Sequence, residues 1–234
     1  VGWFDLNQPQ DEFLRRSGGG ALLRMRVKLD RALIARYGHG RWSLHCSEWN
    51  VHPKTYKPPY NVSRDMAAAL YAFSAIKVYL EEGLDSAQFF LLADHDSHFA
   101  AYTREGGVVI KRPTGAVMEL LGEKLQGTLL KTSVMCPGFR RESEYGLPEL
   151  EVPYLEVLAA KTGLVTNLLI ANKDSIRSAK VMLKGMSGTL FHAEIITANG
   201  NNQDESAEVN LDSIAELRIP PSALLAVSYR KKIL

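Results

Sequence analysis

The stretch LHCSEWNVHPK, Leu44–Lys54, carries the first reading of the fold. Leu44 and Cys46 alternate with Ser43, His45 and Ser47, which is strand-like spacing. The run then turns to Glu48, Trp49 and Asn50, and Pro53, Pro58 and Pro59 mark His52–Tyr60 as a loop. Such a strand either runs out into solvent or presents a carboxylate at the carboxyl end of a buried parallel strand. The flanking sequence separates these readings.

Upstream, residues 1–18 read as irregular. Leu22, Met25, Leu29 and Leu33 then recur at helical spacing, Tyr37 continues the stripe, and Gly38 and Gly40 end it. Downstream, Ser63 is a candidate N-cap for a long helix over about Arg64–Glu82, with Gly83 as its C′ residue. A second apolar run, AQFFLLAD (Ala87–Asp94), again ends in a carboxylate. The polar loop HDSHFAAYTREGG follows, and Pro113 starts a further helix that stops before Gly127. Strands alternating with long helices predict parallel βα units, whose strands are buried on both faces. After about residue 126 the pieces are short, often alternating, and separated by Gly, Asn, Asp or Pro. They run TLLKTSVMC, YLEVLAAKT, LVTNLLIAN, AKVMLKG, TLFHAEIITA, AEVNLD and ALLAVSYRK, the pattern of an antiparallel β-sandwich. The expected class is α/β plus all-β, with residues 1–125 and 126–234 as two domains.

Composition narrows the function. The chain has 234 residues, 46% hydrophobic and 23% charged, with a formal net charge of +2, so nucleic acid is not expected as a partner. The local basic cluster Arg15, Arg16, Arg24, Arg26, Lys28 and Arg31 reads as a solvated helix face. No run is apolar enough to span a membrane, and no signal peptide is visible. The two cysteines, Cys46 and Cys136, make no disulfide scaffold. Cys46, within an apolar run, reads as a buried free thiol and leans toward a reducing, cytoplasmic compartment. Asn61-Val62-Ser63 matches the glycosylation acceptor pattern, a common chance match.

The ordered pieces LHCSEWN, SAQFFLLAD, GVVIKRPTGAVMELLGEKLQG and LLIANKD together resemble the C-terminal part of a clan A glycoside hydrolase. The β-xylosidase and α-L-arabinofuranosidase families are the most similar. The resemblance implies the last βα units of a (β/α)8 TIM barrel followed by the sandwich. It implies a retaining glycosidase acting on plant-type oligosaccharides, with Glu48 as nucleophile at the end of strand seven. It places Trp49, Asn50, Asp94 and His95 at the sugar site. Strand eight lacks the Trp of many clan members, leaving Phe89 and Phe90 as its aromatics. The acid/base glutamate of the clan lies in an Asn-Glu pair, and no such pair occurs in this sequence.

A retaining mechanism needs two carboxyl groups about 5–5.5 Å apart and no cofactor. Two strands cannot close an eight-stranded barrel. The sequence therefore predicts either further polypeptide N-terminal to this segment or a homo-oligomer. The alternative function is a non-catalytic fragment that binds carbohydrate or a partner chain. Trp49 has two readings, sugar stacking or packing; Asn50 has two, hydroxyl binding or loop geometry. Asp94, His95, Asp96 and His98 form a cluster with two readings, a plain solvated loop or, through Asp94 or His95, hydroxyl-binding groups at the rim of the sugar site; a metal site is not expected. His45, inside the strand, reads as a satisfied core histidine.

Overall fold

A computed structural model describes residues 3–4, 19–50, 52–53, 66–94, 100–141, 148–185, 188–198, 204–208 and 216–231. The first part runs β1 (Trp3–Phe4), α1 (Ala21–Tyr37), β2 (His45–Trp49), β3 (His52–Pro53), α2 (Met66–Glu81), β4 (Ser86–Phe89) and β5 (Ala93–Asp94). It continues through β6 (Tyr102–Glu105), β7 (Val108–Lys111) and α3 (Pro113–Lys124). Then come β8 (Thr128–Leu130), β9 (Gly138–Arg141), β10 (Leu150–Pro153), β11 (Leu155–Thr162) and β12 (Val165–Asn172). The chain closes with β13 (Ala179–Met182), β14 (Thr189–Ala198), β15 (Asp204–Glu208), β16 (Glu216–Ile219) and β17 (Ala223–Arg230).

The three helices fall where periodicity and punctuation place them. Gly83 follows α2 with φ +66°, the left-handed conformation that glycine adopts without strain. Pro113 occupies the first turn of α3, where its missing N–H costs nothing. β2 and β4 pair in parallel across α2, which makes one βαβ unit. Two segments depart from expectation. Trp3–Phe4 and His52–Pro53, read as irregular chain and loop, form a two-residue parallel pair. The segment read as a polar loop holds β6 and the turn of the β6–β7 hairpin, Gly106 and Gly107 at φ +56° and +87°. Two adjacent positive φ values are what a two-residue hairpin turn demands.

The second part holds a six-stranded antiparallel sheet in the order β15-β14-β17-β12-β11-β8. Its strands alternate in what they face, not in polarity. On β12, Leu169 and Ala171 join a core with the helices, while Leu168 and Ile170 face the short β13–β16 pair. On β17, Leu224 and Ala226 take the helix side, and Leu225 and Val227 take the other. Both faces are covered, so these strands read as continuous apolar runs. β9, β10 and β16 lie in stretches the sequence left unassigned.

The expected divide at 125/126 falls between α3 and β8. A single core crosses it: Met66, Leu70 and Phe73 of α2 and Val117, Leu120 and Leu121 of α3 pack with Leu158, Leu169, Ile196 and Leu224. The α2 sequence is apolar nearly all round because it is buried on two sides. Its Ala72, Ala75, Val78 and Tyr79 face α1 and β2 instead.

At the divide, Gly127 has φ +92°, and a Cβ there would sit 2.4 Å from the Lys161 carbonyl oxygen. Gly127→Ala is expected to destabilise by about 1–3 kcal/mol, from left-handed strain and backbone collision. A lowered urea midpoint with unchanged slope would record it.

Candidate functional site

The β2–β4 pair sets the geometry around Glu48. Its first end is pinned reciprocally: Leu44 N donates to Asp85 Oδ2 at 2.7 Å, and Asp85 N donates to the Leu44 carbonyl at 3.0 Å. His45 bridges Ser43 Oγ at 2.6 Å and Ser86 Oγ at 2.7 Å. His45 is thus satisfied, but it is exposed, and the reading as a core histidine is corrected. At the other end Phe90 N donates to the Trp49 carbonyl at 3.0 Å, and the Asn50 amide donates to the Phe90 carbonyl. Asn50 therefore ties the two strand ends together, as a loop-geometry residue does.

Between these ties the register slips. His45 pairs with Ser86, Cys46 with Ala87, and Trp49 with Phe89. Ser47 and Glu48 together oppose Gln88, which is a β-bulge. Bulges bend the strand and re-aim side chains, and they are frequent beside active sites. The Glu48 side chain is exposed at this bulge. Sequence spacing gives no sign of the slip, because it arises from pairing with a strand some 40 residues away.

Trp49, by contrast, is 8% exposed. Its ring meets Tyr79 edge-on at 5.5 Å and Phe89 at 5.0 Å between centroids. The expected sugar contact of Trp49 gives way to packing, because both neighbouring rings enclose it. Burial holds the Tyr79 phenol protonated, well above the usual tyrosine range, with the Cys46 thiol 3.7 Å from its oxygen adding to the effect. Cys46 is a free thiol, half-buried rather than fully enclosed.

The run FFLLAD is not one strand. β4 ends at Phe89, the Phe90–Leu91 peptide is cis, and β5 begins at Ala93. Nor is the run deeply buried: Leu92 is exposed, and Phe90 is 40% exposed. Among the described residues the β2–β4 sheet has two strands, so each of them is an edge strand. The two phenylalanines thus separate, Phe89 against Trp49 and Phe90 toward solvent beside Asn50. Asp94 lies exposed on β5, which pairs in parallel with β6. His95, Asp96 and His98 fall outside the described residues. Among the described residues no group of three or more His, Cys, Asp and Glu is placed to hold a metal. Nor is any helix there long and apolar enough to cross a membrane.

A second polar cluster locks the helices to the large sheet. Lys173, with a fully buried side chain, donates to Glu156 Oε1 at 2.8 Å, and Ser74 of α2 donates to Glu156 Oε2 at 2.5 Å. Burial alone would raise the Glu156 carboxyl, but Lys173, Ser74 and Lys77 together hold it below the usual carboxylate range. Beside it, Asp174 accepts from the backbone N–H groups of Ile176 and Arg177 at 2.9 and 3.0 Å. The segment LLIANKD thereby turns from sheet strand into the point where sheet and helix meet.

No family model and no curated protein matches the sequence. Solved structures match by fold. An α-L-arabinofuranosidase from Thermotoga maritima superposes with TM-score 0.72 at 15% identity, over 92% of this chain and 49% of that one. A family 51 α-L-arabinofuranosidase from Bifidobacterium longum gives TM-score 0.71 at 17% identity, over 98% and 52%. A family 44 endoglucanase from Clostridium gives TM-score 0.55 at 11% identity, over 88% and 35%. The likeness is one of fold, and this chain spans about half the length of the arabinofuranosidases it resembles.

Proposed function

We propose that the chain is the C-terminal portion of a retaining glycoside hydrolase of α-L-arabinofuranosidase or β-xylosidase type, acting on plant-type oligosaccharides. In this reading β1, β2 and β4 are strands six to eight of a (β/α)8 barrel, and Glu48 is its nucleophile. The carrying observation is the bulge that presents the Glu48 side chain at the carboxyl end of a parallel strand, with both strand ends tied by Asn50 and Phe90. Active sites of this fold gather at those ends. The Glu48 carboxylate attacks the anomeric carbon as the leaving oxygen is protonated, and water then releases the covalent glycosyl-enzyme. A nucleophile needs donors to stay ionised and oriented. Asn50 ties the strand end to the Phe90 carbonyl, and in this reading the acid/base carboxyl, carried by the clan in an Asn-Glu pair, comes from a strand this sequence does not include.

Phe90 takes the part of sugar platform that Trp49 cannot, since an exposed ring can stack on the apolar face of a pentose. In this reading Asp94, on β5, and His95, next to it in sequence, are rim groups for hydroxyls.

Glu48→Ala in the barrel-complete protein is expected to cut hydrolysis of activated aryl arabinofuranosides or xylosides by on the order of 10⁴–10⁶-fold, the scale of losing a covalent nucleophile. Added azide should restore turnover and release a glycosyl azide of inverted configuration. An alanine variant with near-normal hydrolysis would end the assignment.

A further inference from the structure

Regular alternation along β2 would send Cys46 and Glu48 to one face and Trp49 to the other. The structure does otherwise. Cys46 and Trp49 both pack against α2 beside Tyr79, and Glu48 is exposed. The bulge at Ser47 and Glu48 makes this change of face. The aim of the Glu48 side chain therefore depends on what holds the bulge.

After the bulge, Trp49 is held by burial against Tyr79 and Phe89. Before it stands Cys46, a free thiol that the reaction itself does not use. Its Sγ donates to the Glu48 carbonyl at 3.4 Å, across the bulge, and lies 3.7 Å from the Tyr79 hydroxyl. The directions follow from the chemistry. A thiol has one proton, and a carbonyl oxygen only accepts, so the S–H points to Glu48. The Tyr79 phenol, kept protonated by burial, is then the donor to sulfur. The two bonds run in series, Tyr79 O–H to Cys46 Sγ and Cys46 S–H to the Glu48 carbonyl, and each polarises the other. One thiol thereby connects α2 to the peptide group of Glu48.

We infer that Cys46 is a positioning residue for Glu48: its thiol, oriented by the Tyr79 hydroxyl, fixes the bulge that turns the carboxylate away from α2 and toward the sugar site. The inference rests on the reading of Glu48 as nucleophile and adds the group that aims it. A volume-filling role for Cys46 is the alternative, and the two differ in which substitute serves. Serine keeps a donor and an acceptor at the position, whereas valine keeps the bulk and suits a strand but has neither.

Two measurements test it. The first uses this chain by itself and reads the S–H stretching band, which lies clear of other protein absorption and moves to lower frequency when the thiol donates a hydrogen bond. The difference spectrum between the parent and Cys46→Val isolates the Cys46 band from that of Cys136. The expected band lies at the frequency of a donating thiol and moves upward in Tyr79→Phe, which keeps the ring and removes the hydroxyl. A band at the free-thiol frequency, or one that Tyr79→Phe leaves in place, overturns the inference. The second measurement times the labelling of Glu48 by a fluorinated arabinofuranoside or xyloside in the barrel-complete protein. Cys46→Val is expected to slow labelling at saturation by about 10²-fold, the scale of a displaced reacting group, with the half-saturating concentration little changed. Cys46→Ser should recover most of that rate. Valine labelled at the parent rate, or serine as slow as valine, overturns the inference and leaves the glycosidase reading standing. A parent protein unlabelled at Glu48 sinks that reading, and the positioning role with it.

Discussion

Replacing Lys173 with Met is expected to lower stability by about 3–5 kcal/mol, the cost of leaving a buried charge without its partner. Lys173 has no exposed side-chain surface, and Glu156 is largely enclosed beside it. Removing the ammonium leaves Ser74 as a neutral donor to a carboxylate in the seam between α2 and the large sheet. The double change Lys173→Met with Glu156→Met should recover most of the loss, because no unpaired charge then remains. The pH dependence has a definite sign. The folded Glu156 carboxyl lies below its usual range, so the stability it contributes is present above the unfolded value of about 4.3 and is lost as pH falls through the folded one. In Lys173→Met, burial acts unopposed by the ammonium and favours the protonated acid. The deficit relative to the parent chain should therefore be largest near pH 7 and shrink below about pH 4. Urea unfolding at both pH values measures it.

Trp49→Ala is the second large effect, at about 3–5 kcal/mol for emptying a buried aromatic site. The loss includes two edge-on ring contacts, to Tyr79 and Phe89. Trp49→Phe should cost less than about 1.5 kcal/mol, because it keeps most of the volume. It also removes a liability, since the indole Nε1 is buried with no hydrogen-bond partner among the described residues. Urea unfolding of both variants separates packing from polarity. If Trp49 were a sugar platform instead, Trp49→Ala would leave the fold intact and weaken ligand binding alone.

The sequence made the helices and the long sheet strands legible because each obeys a local rule. Gly83 and Pro113 bound α2 and α3, and β14 coincides with its apolar run TLFHAEIITA. The β6–β7 hairpin obeyed a local rule too: Gly106-Gly107 between strand-like runs is a hairpin signal that the surrounding polar residues obscured. What stayed hidden depends on distant partners. β12 and β17 do not alternate in polarity because both faces of their sheet are covered. Periodicity located α1, yet its most regular stripe points away from the described core.

The candidate site divides the same way. Glu48 is a candidate through its place at a strand end and its neighbours in sequence. Its bulge, the Asn50–Phe90 tie and the separate fates of Phe89 and Phe90 all follow from the pairing of β2 with β4. No spacing rule within either strand encodes that register.

The most direct test of the central claim is active-site labelling with fluorinated arabinofuranosides and xylosides that bear a good leaving group, read by peptide mass. These reagents depend little on the acid catalyst, so they interrogate the nucleophile and its pocket. The account predicts a covalent sugar on Glu48 in the barrel-complete protein and none in Glu48→Gln. A label on another carboxylate, or a protein untouched by the full sugar panel, would contradict it.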